Sequence, residues 1–346
     1  MPVTNSKSTA KAARLVELLR GKRSLLIVMQ DNPDPDSIAA AAALRRIANT
    51  LSEVQCSIAY GGVIGRGENR AVAGYLGLNF RPIEEIDFDK YDAVALVDTQ
   101  PCTGNNSLPA DRKADIVIDH HPLRPETRGA PFSDVRKKYG AVSTILVEYL
   151  GELGITPDPP LATALLYAIR SDTADLGAEA VQADIDATEA LYPLANTRML
   201  SAIQRGSVPR HYFQALATTL ERARVYDHSI VADLDEVENP DMMGEMADLL
   251  LRHEGISWVL CHGVHDGKML LSMRTSQSER RAGDVMHTVV SRLGTGGGHA
   301  SAAGGQILLK KGTRAERESL GRRLRERFLR ETGDSSGRGR KLVGGP

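Results

Sequence analysis

The sequence predicts an α/β fold in which an N-terminal, mostly parallel sheet flanked by helices is joined to a smaller α/β C-terminal domain. Three observations predict it. Short apolar runs alternate with helical patterns through the first half, the signature of βαβ units. The cadence changes near Val225, where two strands are joined through His265-Asp266-Gly267, a hairpin-turn sequence. The chain's 346 residues also exceed the usual domain of about 100–200. We read the first domain as 1–195, a helical linker as 196–224, the second domain as 225–332 and a disordered tail as 333–346.

Each element follows in order. Leu25 to Met29 is a continuous apolar run of the buried-strand type, and the Ala-rich segment Ser37 to Leu51 reads as a helix. Its alanines at 39–43 leave little bulk, so that helix could lie close on the sheet. Val54 to Ala59, Ala93 to Val97 and Asp115 to Ile118 read as further strands, and Ala141 to Leu150 and Leu161 to Ile169 as helices. Gly62 to Arg70 carries the order G-x-x-G-x-G, not G-x-G-x-x-G, so it reads as a loop feeding a helix rather than a dinucleotide fingerprint. Residues 196–223 are helical and polar, with a break at Val208-Pro209. Then come a strand from Val225 to Leu234, a helix around Met242 to Arg252, and strands Ser257 to Val264 and Lys268 to Met273. A helix at Gly283 to Leu293, a Gly-rich stretch, a strand at Gln306 to Lys310 and a charged helix at Thr313 to Glu331 complete the pattern.

Composition removes several functions. Lys and Arg number 43 against 44 Asp and Glu, so the basic excess of a protein that grips long duplex nucleic acid is missing. At 4% aromatic residues, broad base-stacking platforms are not expected. Cys56, Cys102 and Cys261 show no CxxC spacing, which argues against a thiolate zinc site and a disulfide scaffold and for a reducing, cytoplasmic compartment. The polar N-terminus has no signal-peptide core, and no apolar run is long enough to span a membrane.

The acids fall at element ends. Strand 24–29 runs into Gln30-Asp31-Asn32-Pro33-Asp34-Pro35-Asp36, strand 93–97 into Asp98, and strand 115–118 into Asp119-His120-His121. Helix 161–169 runs into Asp172. In open parallel sheets, ligands bind beyond the carboxyl ends of strands. Four segments would thus bring Asp34, Asp36, Asp98, Asp119, His120, His121 and Asp172 to one crevice. So many carboxylates repel one another unless cations sit between them. Oxygen ligands with one or two imidazoles suit Mn²⁺ or Mg²⁺.

NPDPD at 32–36, DTQP at 98–101, DHHP at 119–122, SDT at 171–173 and GGGHASAAGG at 296–305 together resemble the DHH phosphoesterase superfamily. The ending resembles its first type of DHH-associated domain, found in nanoRNases and pAp phosphatases and in dinucleotide phosphodiesterases and RecJ-like exonucleases. The family's pyrophosphatases end differently, which argues against pyrophosphate. The resemblance implies an active site in the cleft between the domains and two ions, usually Mn²⁺, bridged by Asp98. One ion would take Asp34 and Asp98, the other Asp36, Asp98, His120 and Asp172. Two such ions, about 3.5–4 Å apart, stabilise the attacking and leaving oxygens of an in-line displacement at phosphorus. Asp119 would orient the histidines, and His121 would contact the phosphate or assist the leaving group. Arg274, Gly297, Gly298 and His299 would hold the substrate's end, with Asn69 and Arg70 as further candidates.

One position departs from the family. Its first motif opens with a histidine ligand, and that position is Gln30 here, a weaker amide-oxygen ligand. The expected activity is Mn²⁺-dependent hydrolysis of short oligoribonucleotides, pAp, or linear or cyclic dinucleotides. An exopolyphosphatase fits the same chemistry. A nucleotide-binding regulatory module with a decayed metal centre is the competing class. Partners are a small nucleotide or short RNA, with no long duplex and no membrane; the assembly is left open between a monomer and the homodimer that related proteins often form.

Overall fold

Short runs without polar alternation can be buried on both faces, and such runs build the first sheet. A computed structural model of the chain describes residues 6–177, 180–277, 279–298, 300–335 and 337–344, and divides into two units, Met1–Ser207 and Val208–Pro346. The first unit runs α1 (Ser6–Leu19), β1 (Ser24–Val28), α2 (Pro35–Ser52), β2 (Gln55–Tyr60), α3 (Gly67–Leu76) and β3 (Phe80–Pro82). It continues through β4 (Ala93–Val97), β5 (Ile116–Asp119), β6 (Phe132–Val135), α4 (Val142–Glu152), α5 (Pro159–Asp172), α6 (Gln182–Leu191) and α7 (Thr197–Gln204). The strand order is β3-β2-β1-β4-β5-β6, with every pairing parallel. The order reverses between β1 and β4, the place where open sheets of this kind hold ligands.

Alternate residues of each strand serve opposite faces. Leu25, Ile27, Ala95, Val97 and Ile118 pack with α1, α2, α4 and α5, while Leu26, Val28, Leu96 and Val117 pack under the 83–91 and 108–114 segments. The alanines at 39–43 are buried without exception, so α2 lies against its neighbours along its length.

The second unit contains α8 (Arg210–Arg222), β7 (Arg224–Tyr226), β8 (Ser229–Glu236), α9 (Met242–Leu250), β9 (Trp258–His265) and β10 (Lys268–Thr275). After these come α10 (Ala282–Val290), β11 (Thr295–Gly298), β12 (Ala302–Leu308), α11 (Arg314–Thr332) and β13 (Arg340–Lys341). Its sheet is mixed, in the order β11-β12-β10-β9-β8-β7-β13, with β8 and β9 parallel. Val231, Leu260, Met273 and Trp258 face α10 and α11; Ile230, Ala232, Val259 and Cys261 face α8 and α9. The β9–β10 turn places Asp266 and Gly267 at φ 46° and 72°, the left-handed pair that a two-residue hairpin needs.

The structure corrects several readings. Residues 196–224 are not a separate connection: Leu200 and Ile203 of α7 are buried in the first unit's core, and Leu216 and Leu220 of α8 pack in the second. The tail read as disordered carries β13, which pairs with β7 (Arg340 opposite Val225), because a backbone ladder needs no apolar side chains. The Gly-rich stretch, given no element in the sequence reading, supplies the edge strand β11 and the start of β12, which pair with each other. The strand read from Val225 to Leu234 is two strands, turned at Asp227 (φ 39°). Among the described residues no helix is long and apolar enough to cross a membrane.

Candidate metal centre

Turns after β1, β4 and β5 and the end of α5 deliver the acids. Asp98 follows β4 in left-handed backbone (φ 61°), which Asp tolerates better than most residues. Its carboxylate is buried, and Oδ1 has no hydrogen-bond partner among the described residues. His120 Nε2 lies 3.5 Å and His121 Nδ1 3.7 Å from that oxygen. Burial, and then the negative charge of Asp34, push the Asp98 carboxyl up to about 8.

His120 stands between two carboxylates. Its Nδ1 lies 3.1 Å from the Tyr139 carbonyl, which can only accept, so Nδ1 carries a proton and Nε2 faces the acids. That nitrogen is 3.5 Å from both Asp98 Oδ1 and Asp172 Oδ2. Burial alone would lower its pKa, but Asp98, Asp172 and Asp36 hold it well above the ordinary imidazole value. Asp36 is fully buried and accepts from the backbone N–H groups of Val142 (2.6 Å) and Ser143 (2.8 Å) at the start of α4. Burial and the neighbouring acids still raise its pKa, as they do for Asp172. Two groups therefore have ligating atoms within 4.8 Å of one another: Asp36, His120 and Asp172, and Asp98, His120 and His121.

Asp34 caps α2, with Oδ1 accepting from Ser37 N–H at 2.9 Å. Its Oδ2 accepts from Gln30 Nε2 at 2.8 Å. Asn105 Nδ2 reaches Gln30 Oε1 at 3.4 Å, and Asn105 Oδ1 accepts from Thr99 Oγ1 at 2.6 Å, so both amides are held in register. The Gln30 oxygen, expected as a metal ligand, thus faces Asn105, and its N–H₂ faces Asp34. Asp119 is fully buried and accepts from His120 N–H and His121 Nδ1, both at 2.8 Å, and from Gln100 Nε2 at 2.6 Å. Burial opposes its ionisation, but the His121 hydrogen bond and charge keep its pKa low.

Gln100, Asp184, Gly140 and Tyr139 contribute to the site and escaped the sequence reading. Gln100 binds Asp119 and Pro122 O with its N–H₂, while its oxygen accepts from Arg124 N–H and Thr127 Oγ1, fixing the chain after the histidines. Asp184 accepts from Gly140 N–H (2.9 Å), Val181 N–H (2.9 Å) and Thr144 Oγ1 (2.6 Å). It thereby secures the segment that supplies the Tyr139 carbonyl to His120 and two N–H groups to Asp36. Gly140 permits this: a Cβ there would meet Thr173 Cγ2 at 2.4 Å and Asp184 Oδ2 at 2.9 Å. A buried, hydrogen-bonding Gln within DTQP was the one signal available for Gln100; Tyr139 acts through its backbone and leaves no mark in sequence.

The remaining candidates make other contacts. Asn69 is buried, with Nδ2 on Pro33 O at 3.1 Å. Arg70 is exposed and binds the carbonyls of Gly65 and Ser207. Arg274 in the second unit pairs with Asp248 and binds Ser272 Oγ at 2.8 Å. Gly297 and Gly298 lie in β11, opposite Gly304 and Ala303. His299 lies outside the described residues.

The donor set fits a divalent ion. Carboxylate oxygens predominate, one carries an unused lone pair, and a single imidazole nitrogen is shared by both groups, which suits Mn²⁺ or Mg²⁺. Comparison with known proteins agrees. The model described as DHH family, N-terminal domain matches residues 24–169, and the DHHA1 domain model matches 227–320. An uncharacterized protein of Methanocaldococcus jannaschii is 36% identical over 290 residues, 83% of this chain and 59% of that one. A probable manganese-dependent inorganic pyrophosphatase of Deinococcus radiodurans is 33% identical over 175 residues, 49% of this chain and 54% of that one. The chain therefore spans less than two thirds of either relative's length. An exopolyphosphatase-related protein from Bacteroides fragilis shares the fold with a TM-score of 0.73 at 12% identity, over 96% of this chain and 99% of that one.

Proposed function

The chain belongs to the DHH phosphoesterase superfamily, and from that premise we propose that it hydrolyses short nucleotide substrates with Mn²⁺: short oligoribonucleotides, pAp, or linear or cyclic dinucleotides. The observation that carries the reading is the unpartnered Asp98 Oδ1 among Asp34, Asp36, Asp172 and His120, a buried anionic cluster that calls for a cation. Asp36, His120 and Asp172 would hold one ion, and Asp98, with Asp34, a second. Bound there, divalent ions polarise the phosphoryl group and lower the pKa of the attacking water.

The chain's own groups do the rest. Asp119 holds His121 through Nδ1, which leaves Nε2 of that half-buried ring as the atom able to meet a phosphate. Burial acts to lower the His121 pKa, but the Asp119 carboxylate raises it, so Nε2 can carry a proton for the leaving oxygen. Gln100 fixes Asp119 and so the ring's direction. A net charge of −1 suits capture of a small end group better than tracking a long strand.

One observation favours a second reading. Because Gln30 donates to Asp34, the first ion has lost its family imidazole, and a nucleotide-binding module with a weakened centre follows. Incubation with Mn²⁺ and pAp, pApA, cyclic dinucleotides, short RNA and polyphosphate separates the readings. Turnover of a nucleotide supports the proposal, turnover of polyphosphate alone moves the substrate, and binding without turnover supports the module.

A further inference from the structure

The second unit carries a cationic pocket whose lining includes no residue of the motifs above. It has a volume of 320 Å³ and is lined by Thr288, Ser291, Arg292, Arg327, Arg330 and Glu331. Its floor is built firmly: Arg327 Nη1 donates to the carbonyls of Val289 and Ser291, both at 2.8 Å, and so closes the C-terminal end of α10. A helix C-terminus attracts one cation, and Arg327 answers that demand. The other guanidiniums are not explained by it. Arg323, Arg327 and Arg330 recur at i, i+4 and i+7 and so share one face of α11, with Arg292 just beyond α10. Among the described residues no ion pair engages Arg292, Arg323, Arg327 or Arg330, and Glu331 is the one carboxylate in the lining. Burial lowers the Arg327 pKa, and the like charges of Arg323, Arg330 and Arg292 lower it further.

We propose that this pocket, which shares no lining residue with the metal centre, binds the phosphate group of a nucleotide or oligonucleotide. Planar guanidinium forks match phosphate oxygens, and the Ser291 hydroxyl adds a donor beside them. The lining contains no aromatic side chain, so it recognises phosphate and not a base. A bound dianion relieves the repulsion among the arginines, and this is the energetic reason for the site. The phosphate could sit at the end of a ligand or within a backbone; the chemistry is shared.

The test is calorimetric titration of the full chain in EDTA, which silences the metal centre. The probes are inorganic phosphate, a 5′-phosphorylated dinucleotide and its 5′-hydroxyl counterpart. The variants are Arg292→Gln and Arg330→Gln, singly and together, since both side chains are exposed and unpaired, whereas loss of Arg327 would uncap α10. We expect saturable binding of the dinucleotide that weakens at least tenfold in the double variant, with Mn²⁺-dependent turnover of bis(p-nitrophenyl) phosphate unchanged. Preference for the 5′-phosphorylated probe assigns a terminal phosphate, and equal binding assigns the backbone. Affinity within twofold of wild type in the double variant, or no saturable binding at all, overturns the proposal. Neither result depends on whether the metal centre hydrolyses nucleotides.

Discussion

Two buried charge clusters stand on neighbouring strands of the first sheet, and they solve the same problem in opposite ways. In one, Arg136 donates to Asp134 through Nε (2.9 Å) and Nη2 (2.6 Å) and to Glu148 through Nη1 (2.6 Å). Tyr149 OH reaches Asp134 at 2.8 Å, Tyr139 OH reaches Glu148 at 2.9 Å, and Ser8 closes the group. Burial works against Asp134, yet Arg136 keeps its carboxyl below the ordinary value. In the other, Asp98 is 1% exposed against 2% for Asp134 but has no arginine, and its carboxyl rises to about 8. The clusters meet at Tyr139, whose hydroxyl serves the first and whose carbonyl serves His120 in the second. Charge balance separates structural acids from acids that await a cation, and burial alone does not.

The largest effect is expected where the balance is missing. Asp98→Asn keeps the shape and the tolerance for left-handed backbone that alanine lacks, while removing the charge. Mn²⁺-dependent turnover should fall by about four orders of magnitude, roughly 5 kcal/mol in the barrier. In EDTA the same variant should melt higher than wild type, because one repelling carboxylate is gone. A lower melting temperature in EDTA would show that Asp98 is a structural acid like Asp134, and the contrast would collapse.

Arg136→Met probes the balanced cluster. It strands two buried carboxylates, and such removals cost about 3–5 kcal/mol. Urea denaturation should register that loss, while Mn²⁺ binding by the folded fraction stays within a fewfold. Acid sharpens the point. With a depressed pKa, Asp134 adds stability that is present above its ordinary value of 3.8 and lost as pH falls through the lower folded value. Without Arg136, burial would raise that pKa, and stability would instead decline as pH climbs from 3.8. The raised acids of the metal centre act alike in both proteins, so the gap in melting temperature between wild type and Arg136→Met should widen from pH 3 to 7; a constant gap would remove Arg136 as the deciding charge.

The two clusters were also unequally legible. The acids of the metal centre were readable because each ends an apolar run, as Asp98 ends the strand 93–97, and a polar residue there has to lie at the sheet's rim. Arg136, Asp134 and Glu148 passed unnoticed, since an arginine buried among carboxylates looks in sequence like any surface charge. Asp184 joins its partners across about 40 residues through a backbone N–H and a threonine hydroxyl, and no local pattern encodes that. The edge strands β3, β11 and β13 failed for a related reason: proline, glycine and a two-residue length carry no strand periodicity. The length and charge of the N-terminal segment concealed α1, although Leu15 and Leu19 are fully buried.

A smaller effect belongs to Asp184. Its replacement by alanine leaves the Gly140 N–H and Thr144 hydroxyl without their acceptor and loosens the Tyr139 carbonyl that orients His120. Partners of this kind are worth 10–100-fold in metal affinity, so the Mn²⁺ concentration for half-saturation should rise by about that factor. Asp184→Asn retains one acceptor and should recover part of it. Equal Mn²⁺ affinity in wild type and both variants would restrict Asp184 to stability.

The smallest effect tests the charge argument at its weakest point, Gln30. The amide donates to Asp34 and so offers a partner to one carboxylate, a faint copy of what Arg136 does for Asp134. An imidazole at that position would bring a nitrogen lone pair to the first ion in place of an N–H₂ aimed at its ligand. Gln30→His should lower the Mn²⁺ concentration for half-maximal rate about tenfold, or roughly 1.4 kcal/mol of added affinity. The maximal rate need not change, since a tighter ion does not by itself polarise the phosphoryl group more. Mn²⁺ stoichiometry by electron paramagnetic resonance gives a second readout: the variant should fill its second equivalent at lower free metal. Unaltered metal dependence in a folded variant would mean that position 30 does not face the first ion, and that the Gln30–Asp34 bond serves only to start α2.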